Sequence, residues 1–288
     1  MRLTSHSLRQ ERERTVMQRL AMNEMTTIRW SFWDDVTAYR NAGYEAIGVW
    51  RPKLVEFGEE RGADLLAESG LSVASLSWAG GFTGSDGHSF EDAVCDARDA
   101  LQLAGRIQAA CLVLVTGARG GHTQNHARRL VVDAVRELAD QAADENVQLA
   151  LQPMHAKFAR GWTLATTLDQ LLDIVDRCNH PHVGIAFDAY HLNVDPELLL
   201  RIPQFVHLVK TVQLGDWRDG RPAPQPLRLI GEGALPLGEL IAGFEDAGYM
   251  GFYDLQILSE SVWQSNYNDV LEQCSLEFQS CVYAPWSK

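Results

Sequence analysis

Eight short apolar runs alternate with longer amphipathic stretches along this chain of 288 residues, and that alternation limits it to a small set of folds. The runs at 19–25, 44–50, 71–78, 111–116, 147–152, 183–188, 205–214 and 252–257 are nearly continuous in apolar residues, as strands covered on both faces are. Between and after them, residues 32–41, 54–69, 90–107, 127–144, 168–177, 196–202, 236–247 and 262–278 read as helices, the first two closed by Gly43 and Gly70. Strands that alternate with helices build parallel sheets. Eight such units close into a single (β/α)8 TIM barrel, which takes about 250 residues. An open doubly wound sheet would carry G-x-G-x-x-G where a strand turns into a helix. Gly117, Gly120 and Gly121 have a different spacing, and the polar stretch 122–126 follows them. The expectation is one barrel over residues 19–288 behind a polar leader, residues 1–18.

Composition narrows the function. Hydrophobic residues make up 46% and charged residues 22%, enough for a large core. A net charge of -13 argues against a grip on nucleic-acid backbones, which needs clustered Lys and Arg. Five cysteines, an odd number with no C-x-x-C pair, read as reduced thiols and neither as a disulfide framework nor as a zinc site. The leader mixes Arg and Glu and lacks the apolar segment of a secretory signal. No stretch is long and apolar enough to span a bilayer. The expected setting is the cytoplasm, with no membrane and no nucleic acid as partner. Near the C-terminus Trp263, Tyr267, Phe278, Val282, Tyr283 and Trp286 suit either a contact between copies in a homo-oligomer or core packing.

In barrels of this kind the site is built where the strands end. The stretch HVGIAFDAYH ends its apolar run on Asp188, with His191 three residues on. A buried carboxylate is costly unless a charged or polar group needs it there. Other strand ends supply Trp50 and Arg51, Trp78 and Phe82, Arg119 and His122, Gln152 and His155, Gln213 and Asp216, and Gln256. Singly, each has a plainer account: Asp188 as a helix cap, the tryptophans as packing, Arg119 as a solvated charge. Their convergence on one face points to a pocket in which Trp50, Arg51, Trp78, Phe82, Arg119, His122 and Asp216 surround a ligand.

With LALQPMH, GIAFDAYH, VQLGD and GFYDLQI in this order, the chain from about Leu20 to Ile257 resembles the xylose isomerase-like barrels, which include sugar phosphate isomerases and epimerases and the endonuclease IV group. GVWRPKL and SWAGGFTGSDG add to the likeness to the sugar phosphate isomerase/epimerase branch. The resemblance implies a divalent metal held by carboxylates and a histidine, and proton transfer on a ketose or related polyol. It implies Glu, Asp, His and Glu at the ends of strands five to eight. This chain has Gln152, Asp188, Gln213 and Gln256 in those metal positions, so only the aspartate, with the trailing His191, matches. Hard divalent cations are held mainly by charged oxygens. The expectation is therefore no tightly bound cofactor, with Mn or Mg held weakly.

Two functions follow. One is an isomerase- or epimerase-like enzyme, or a lyase-like one, on a carbohydrate-like small molecule, in which Asp188, His191 and His155 move protons, since imidazole titrates near neutral pH. The other is a ligand-binding or regulatory barrel without chemistry. Gln152 and Gln256 are not bases, so the family's exchange of a carbon-bound proton with solvent is expected to be absent with or without Mn, while binding persists. Endonuclease action would need more metal ligands and a basic surface.

Overall fold

The computed structural model describes residues 13–192, 194, 196–217 and 227–283. Of the polar leader, 13–17 are helical and Val16 is buried in the core; Trp286 lies outside the described residues. Eight parallel strands close on themselves in chain order: β1 Leu20–Asn23, β2 Ala46–Trp50, β3 Ser72–Gly80, β4 Cys111–Val115, β5 Gln148–Leu151, β6 Val183–Asp188, β7 Val209–Leu214 and β8 Phe252–Leu255. β8 pairs with β1 to complete the ring. The expected single (β/α)8 barrel is the fold observed.

The α-helices are α1 Phe32–Asn41, α2 Arg51–Phe57, α3 Glu59–Ser69, α4 Phe90–Arg106, α5 Gln124–Asp144, α6 Leu168–Cys178, α7 Ala189–Leu192, α8 Pro196–Phe205, α9 Leu237–Asp246, α10 Glu260–Trp263 and α11 Tyr267–Tyr283. Side-chain caps start several of them. Ser31 with Asp34 and Ser89 with Asp92 form reciprocal capping boxes for α1 and α4, while Thr123 and Thr167 cap α5 and α6.

Four boundaries differ from the periodicity. Residues 54–69 form two helices because Gly58, at φ +105°, breaks the path between α2 and α3. Residues 262–278 likewise split into α10 and α11. Residues 205–208 belong to the end of α8 and a 3-10 turn, so β7 starts only at Val209; their apolar character serves packing of a helix end against the sheet. A short helix, α7, follows β6 directly and carries His191.

Outward-facing strand residues such as Ile47, Val49, Leu112, Leu149, Ile185 and Val212 pack beneath the helices in one large cluster. Each such aliphatic chain, fully buried, contributes about 1.5–3 kcal/mol. The barrel interior holds small residues: Ala21, Ala46 and Ala74 in one cluster, Cys111, Val113, Ala150 and Ala186 in another. A polar group is set among them. Asn23 Nδ2 and Ser75 Oγ donate to Asp254 Oδ2 at 2.8 and 3.0 Å, and a Cβ on Gly48 would collide with Asn23 and Asp254. In the C-terminal segment Tyr267, Phe278 and Val282 are buried, and Trp263 Nε1 donates to the Met25 carbonyl at 2.8 Å; Tyr283 is exposed.

Candidate functional site

Strand register brings the polar residues of β5 to β8 to one end of the barrel. Asp188 closes β6 and pairs in register with Gln213 on β7, while Gln152 and Gln256 immediately follow β5 and β8. All four are at least nine-tenths buried. Gln152 is the hub: its Nε2 donates to Asp188 Oδ2 at 3.1 Å and to Gln213 Oε1 at 2.9 Å, and its Oε1 accepts from Trp78 Nε1 at 3.2 Å. Indole nitrogen only donates, so Trp78 must face the amide oxygen, and the amide nitrogen must face Asp188. A glutamate here could accept from Trp78 but would set its second oxygen against Asp188 and Gln213 oxygens.

Asp188 is satisfied on both oxygens, with Oδ1 accepting from the His191 backbone N–H at 2.9 Å. The turn of α7 returns the His191 ring over the same carboxylate, Nε2 standing 3.9 Å from Oδ2. His191 Nδ1 accepts from the His155 backbone N–H at 3.3 Å. In the neutral ring the proton therefore sits on Nε2, which a ligand can meet. His155 Nδ1 accepts from Lys157 N, and burial, then His191 and Lys157, lower its pKa.

A cavity of about 250 Å³ opens above these groups. Gln152, Asp188, Gln256 and His191 supply its polar lining, and Trp78, Trp162, Phe158 and Tyr190 its aromatic walls. Trp78 and Trp162 lie with ring centres 6.2 Å apart, and Phe158 meets His191 edge-on at 5.5 Å. Met154, Leu227 and Leu258 complete it. Gln256 Oε1 and Gln213 Nε2 have no hydrogen-bond partner among the described residues.

Other strand-end residues lie elsewhere. Arg51 opens α2 and pairs with Asp96 on α4 at 2.8 Å, on the outside of the barrel. Phe82 is fully buried, His122 Nε2 stands 3.0 Å from the Thr83 carbonyl, and Arg119 is exposed in the same loop; none of these lines the cavity. Asp216 is buried and accepts from the backbone N–H groups of Trp217, Gly231, Gly233 and Leu235 at 2.8 to 3.2 Å, holding a loop together. Burial raises its pKa against those four donors. Trp50 also stays outside the lining, with its backbone N–H donating to Glu24 Oε2 at 2.7 Å.

Glu24 belongs to a buried group that periodicity did not single out. Lys53 Nζ bonds Asp35 Oδ2 at 2.5 Å and Thr27 Oγ1 donates to Asp35 Oδ1 at 2.6 Å. Burial, then the neighbouring Asp35, raises the pKa of Glu24 well above the usual range. Asp35 and Lys53 thus form the ion pair and Glu24 is held toward its protonated form. This group ties α1 and α2 to the end of β1. Phe158 and Trp162 were missed because the loop after β5 has no periodicity to read; Tyr190 lies within the GIAFDAYH motif itself.

A divalent ion does not fit this donor set. One carboxylate is present where hard cations want several, and amide hydrogens, fixed by Trp78, point at the oxygens an ion would bridge. Among the described residues no group of three or more His, Cys, Asp or Glu is arranged to hold a metal.

A family model described as xylose isomerase-like TIM barrel matches residues 36–273, and the chain belongs to that family. Protein SMc04130 from Sinorhizobium meliloti 1021 is 28% identical, with a TM-score of 0.85 over 92% of this chain and 98% of that one. The IolI protein with a bound zinc atom is 18% identical, TM-score 0.79, over 94% and 100%. 3-Keto-D-glucoside 4-epimerase YcjR from E. coli, in its apo form, is 17% identical, TM-score 0.72, over 90% and 99%. The last two likenesses show the fold. No curated protein matches the sequence. Among the described residues no helix is long and apolar enough to cross a membrane.

Proposed function

We propose that this barrel binds a polyhydroxylated, sugar-sized molecule in the cavity and handles it, in the manner of an isomerase or epimerase relative, without a firmly held divalent ion. The observation that carries this reading is the Gln152 amide, locked by Trp78 between Asp188 and Gln213. It keeps Asp188 in place by hydrogen bonding where the family implies a metal. The aromatic walls suit the C–H faces of a sugar ring, and the polar lining suits its hydroxyls.

Asp188 and His191 are the groups that can move a proton. His191 offers Nε2–H to a ligand oxygen as a hydrogen-bond donor, and Asp188 beside it is the group that accepts a proton from the ligand. His155 acts on His191 through its backbone N–H and is a positioning residue. A second reading, a ligand-binding barrel without chemistry, is favoured by one observation: both Asp188 oxygens already accept hydrogen bonds.

Titrating a panel of ketoses and polyols against intrinsic tryptophan fluorescence tests the binding, since Trp78 and Trp162 line the cavity; saturable quenching is expected. Proton NMR in deuterium oxide tests the chemistry. Any carbon-bound exchange should disappear in His191→Gln. Exchange that survives in both His191→Gln and His155→Gln removes the assignment of these groups, and binding with no exchange supports the second reading.

A further inference from the structure

We infer that the cavity selects a ligand carrying a protonated amine, an amino sugar or amino-polyol, over the neutral sugar and over its phosphate ester. This deepens the reading of the cavity as a polyol site and rests on it. Asp188, 6% exposed, puts one formal negative charge at the floor. Among the described residues, no Lys or Arg lines the cavity to offset it. Lys157 is exposed, with its Nζ 5.8 Å from the Phe158 ring centre, and is not among the lining residues.

The rest of the lining has the same preference. Trp78, Trp162, Phe158 and Tyr190 present aromatic rings, whose negative faces attract a cation most when water is excluded. Gln256, also in the lining, has a carbonyl oxygen with no partner among the described residues, so an acceptor is left over on that side. Gln213 Nε2 is a donor without a partner among the described residues, yet Gln213 is not part of the lining. A phosphate dianion would meet the Asp188 carboxylate and aromatic rings, with no Lys or Arg among the described lining residues to hold it. The overall charge of -13 draws cations toward the molecule and repels anions.

The experiment is calorimetric titration of the full chain with four matched ligands: glucose, its 2-amino-2-deoxy analogue, the N-acetyl derivative and the amine's 6-phosphate. The free amine should bind at least tenfold more tightly than glucose and the N-acetyl derivative, and the phosphate more weakly than the free amine. Asp188→Asn should abolish the preference for the amine, and Trp162→Leu, at a half-exposed position where folding is not at stake, should reduce it several-fold. Glucose or the phosphate binding as tightly as the amine overturns the inference and leaves the polyol reading standing. An amine preference unchanged in Asp188→Asn overturns it as well. Failure of all four ligands, together with the ketose panel, removes the polyol reading itself.

Discussion

At the scale of single residues, the difference between an amide and a carboxylate decides what this barrel can hold. Gln152 has both amide hydrogens and its oxygen engaged, so its isosteric replacement by Glu is a change of charge and of hydrogen-bond direction at once. In Gln152→Glu, two carboxylates come within about 3 Å, and at neutral pH the fold should lose ~2–3 kcal/mol, read as a lower melting temperature. Millimolar Mn should restore most of that loss. The double change with Gln256→Glu should bind Mn more tightly than the natural chain by orders of magnitude in calorimetry; tight, stoichiometric Mn in the natural chain would show that neutral oxygens suffice. Trp78→Phe keeps an aromatic wall and removes the donor that orients Gln152. It should weaken polyol binding several-fold in the fluorescence titration at a stability cost of about 1 kcal/mol.

At the scale of elements, the ends of strands and the first turns of helices position the site. Asp216 gathers four backbone N–H groups from the segment between β7 and α9, including Gly231 and Gly233 at 3.2 and 3.0 Å. Asp216→Asn keeps an acceptor on one side only and should cost ~2 kcal/mol. Hydrogen exchange should then quicken at the amides of 231 and 233, while the amides of β4 keep their protection; unchanged exchange at 231 and 233 would dismiss this role. The Ser89 capping box is a control away from the cavity, since Ser89→Ala should lower stability by about 1 kcal/mol and leave ligand affinity unchanged.

At the scale of the whole molecule, the ring closes around a buried carboxylate. Asp254, in the barrel interior, is pushed by burial from the ordinary aspartate value of 3.8 up to about 6, against the donors Asn23 and Ser75. Below pH 4 the folded and unfolded chains both hold this proton. Between about pH 4 and 6 the unfolded chain releases it and the folded chain keeps it, so the stability contribution of this group falls as pH rises and is lost above pH 6. Two pH units correspond to at most ~3 kcal/mol. Urea unfolding of the natural chain and of Asp254→Asn from pH 4 to pH 8 should show the variant gaining relative stability through that window. A constant difference between the two would dismiss the titration of Asp254 as the cause.

The alternation of apolar runs and amphipathic stretches by itself determined a closed parallel barrel, because strands covered on both faces need helices outside and eight of them need no edge. Its motif order also marked the end of the barrel at which Gln152, Asp188, Gln213 and Gln256 meet, since the side of a strand on which its last residue points follows from its register. Periodicity did not reveal the break at Gly58 or the late start of β7, where a backbone angle and a helix end packed against the sheet override the apolar pattern. Which strand-end residues share the cavity was decided only by tertiary structure. Arg51 turned outward to Asp96 and Asp216 inward to a loop, while Phe158 and Trp162 reached the wall from an irregular segment. A loop takes its path from contacts distant in sequence, and so does the direction of a long side chain; hydrogen bonds such as that from Trp78 to Gln152, 74 residues apart, exist only once the ring has closed.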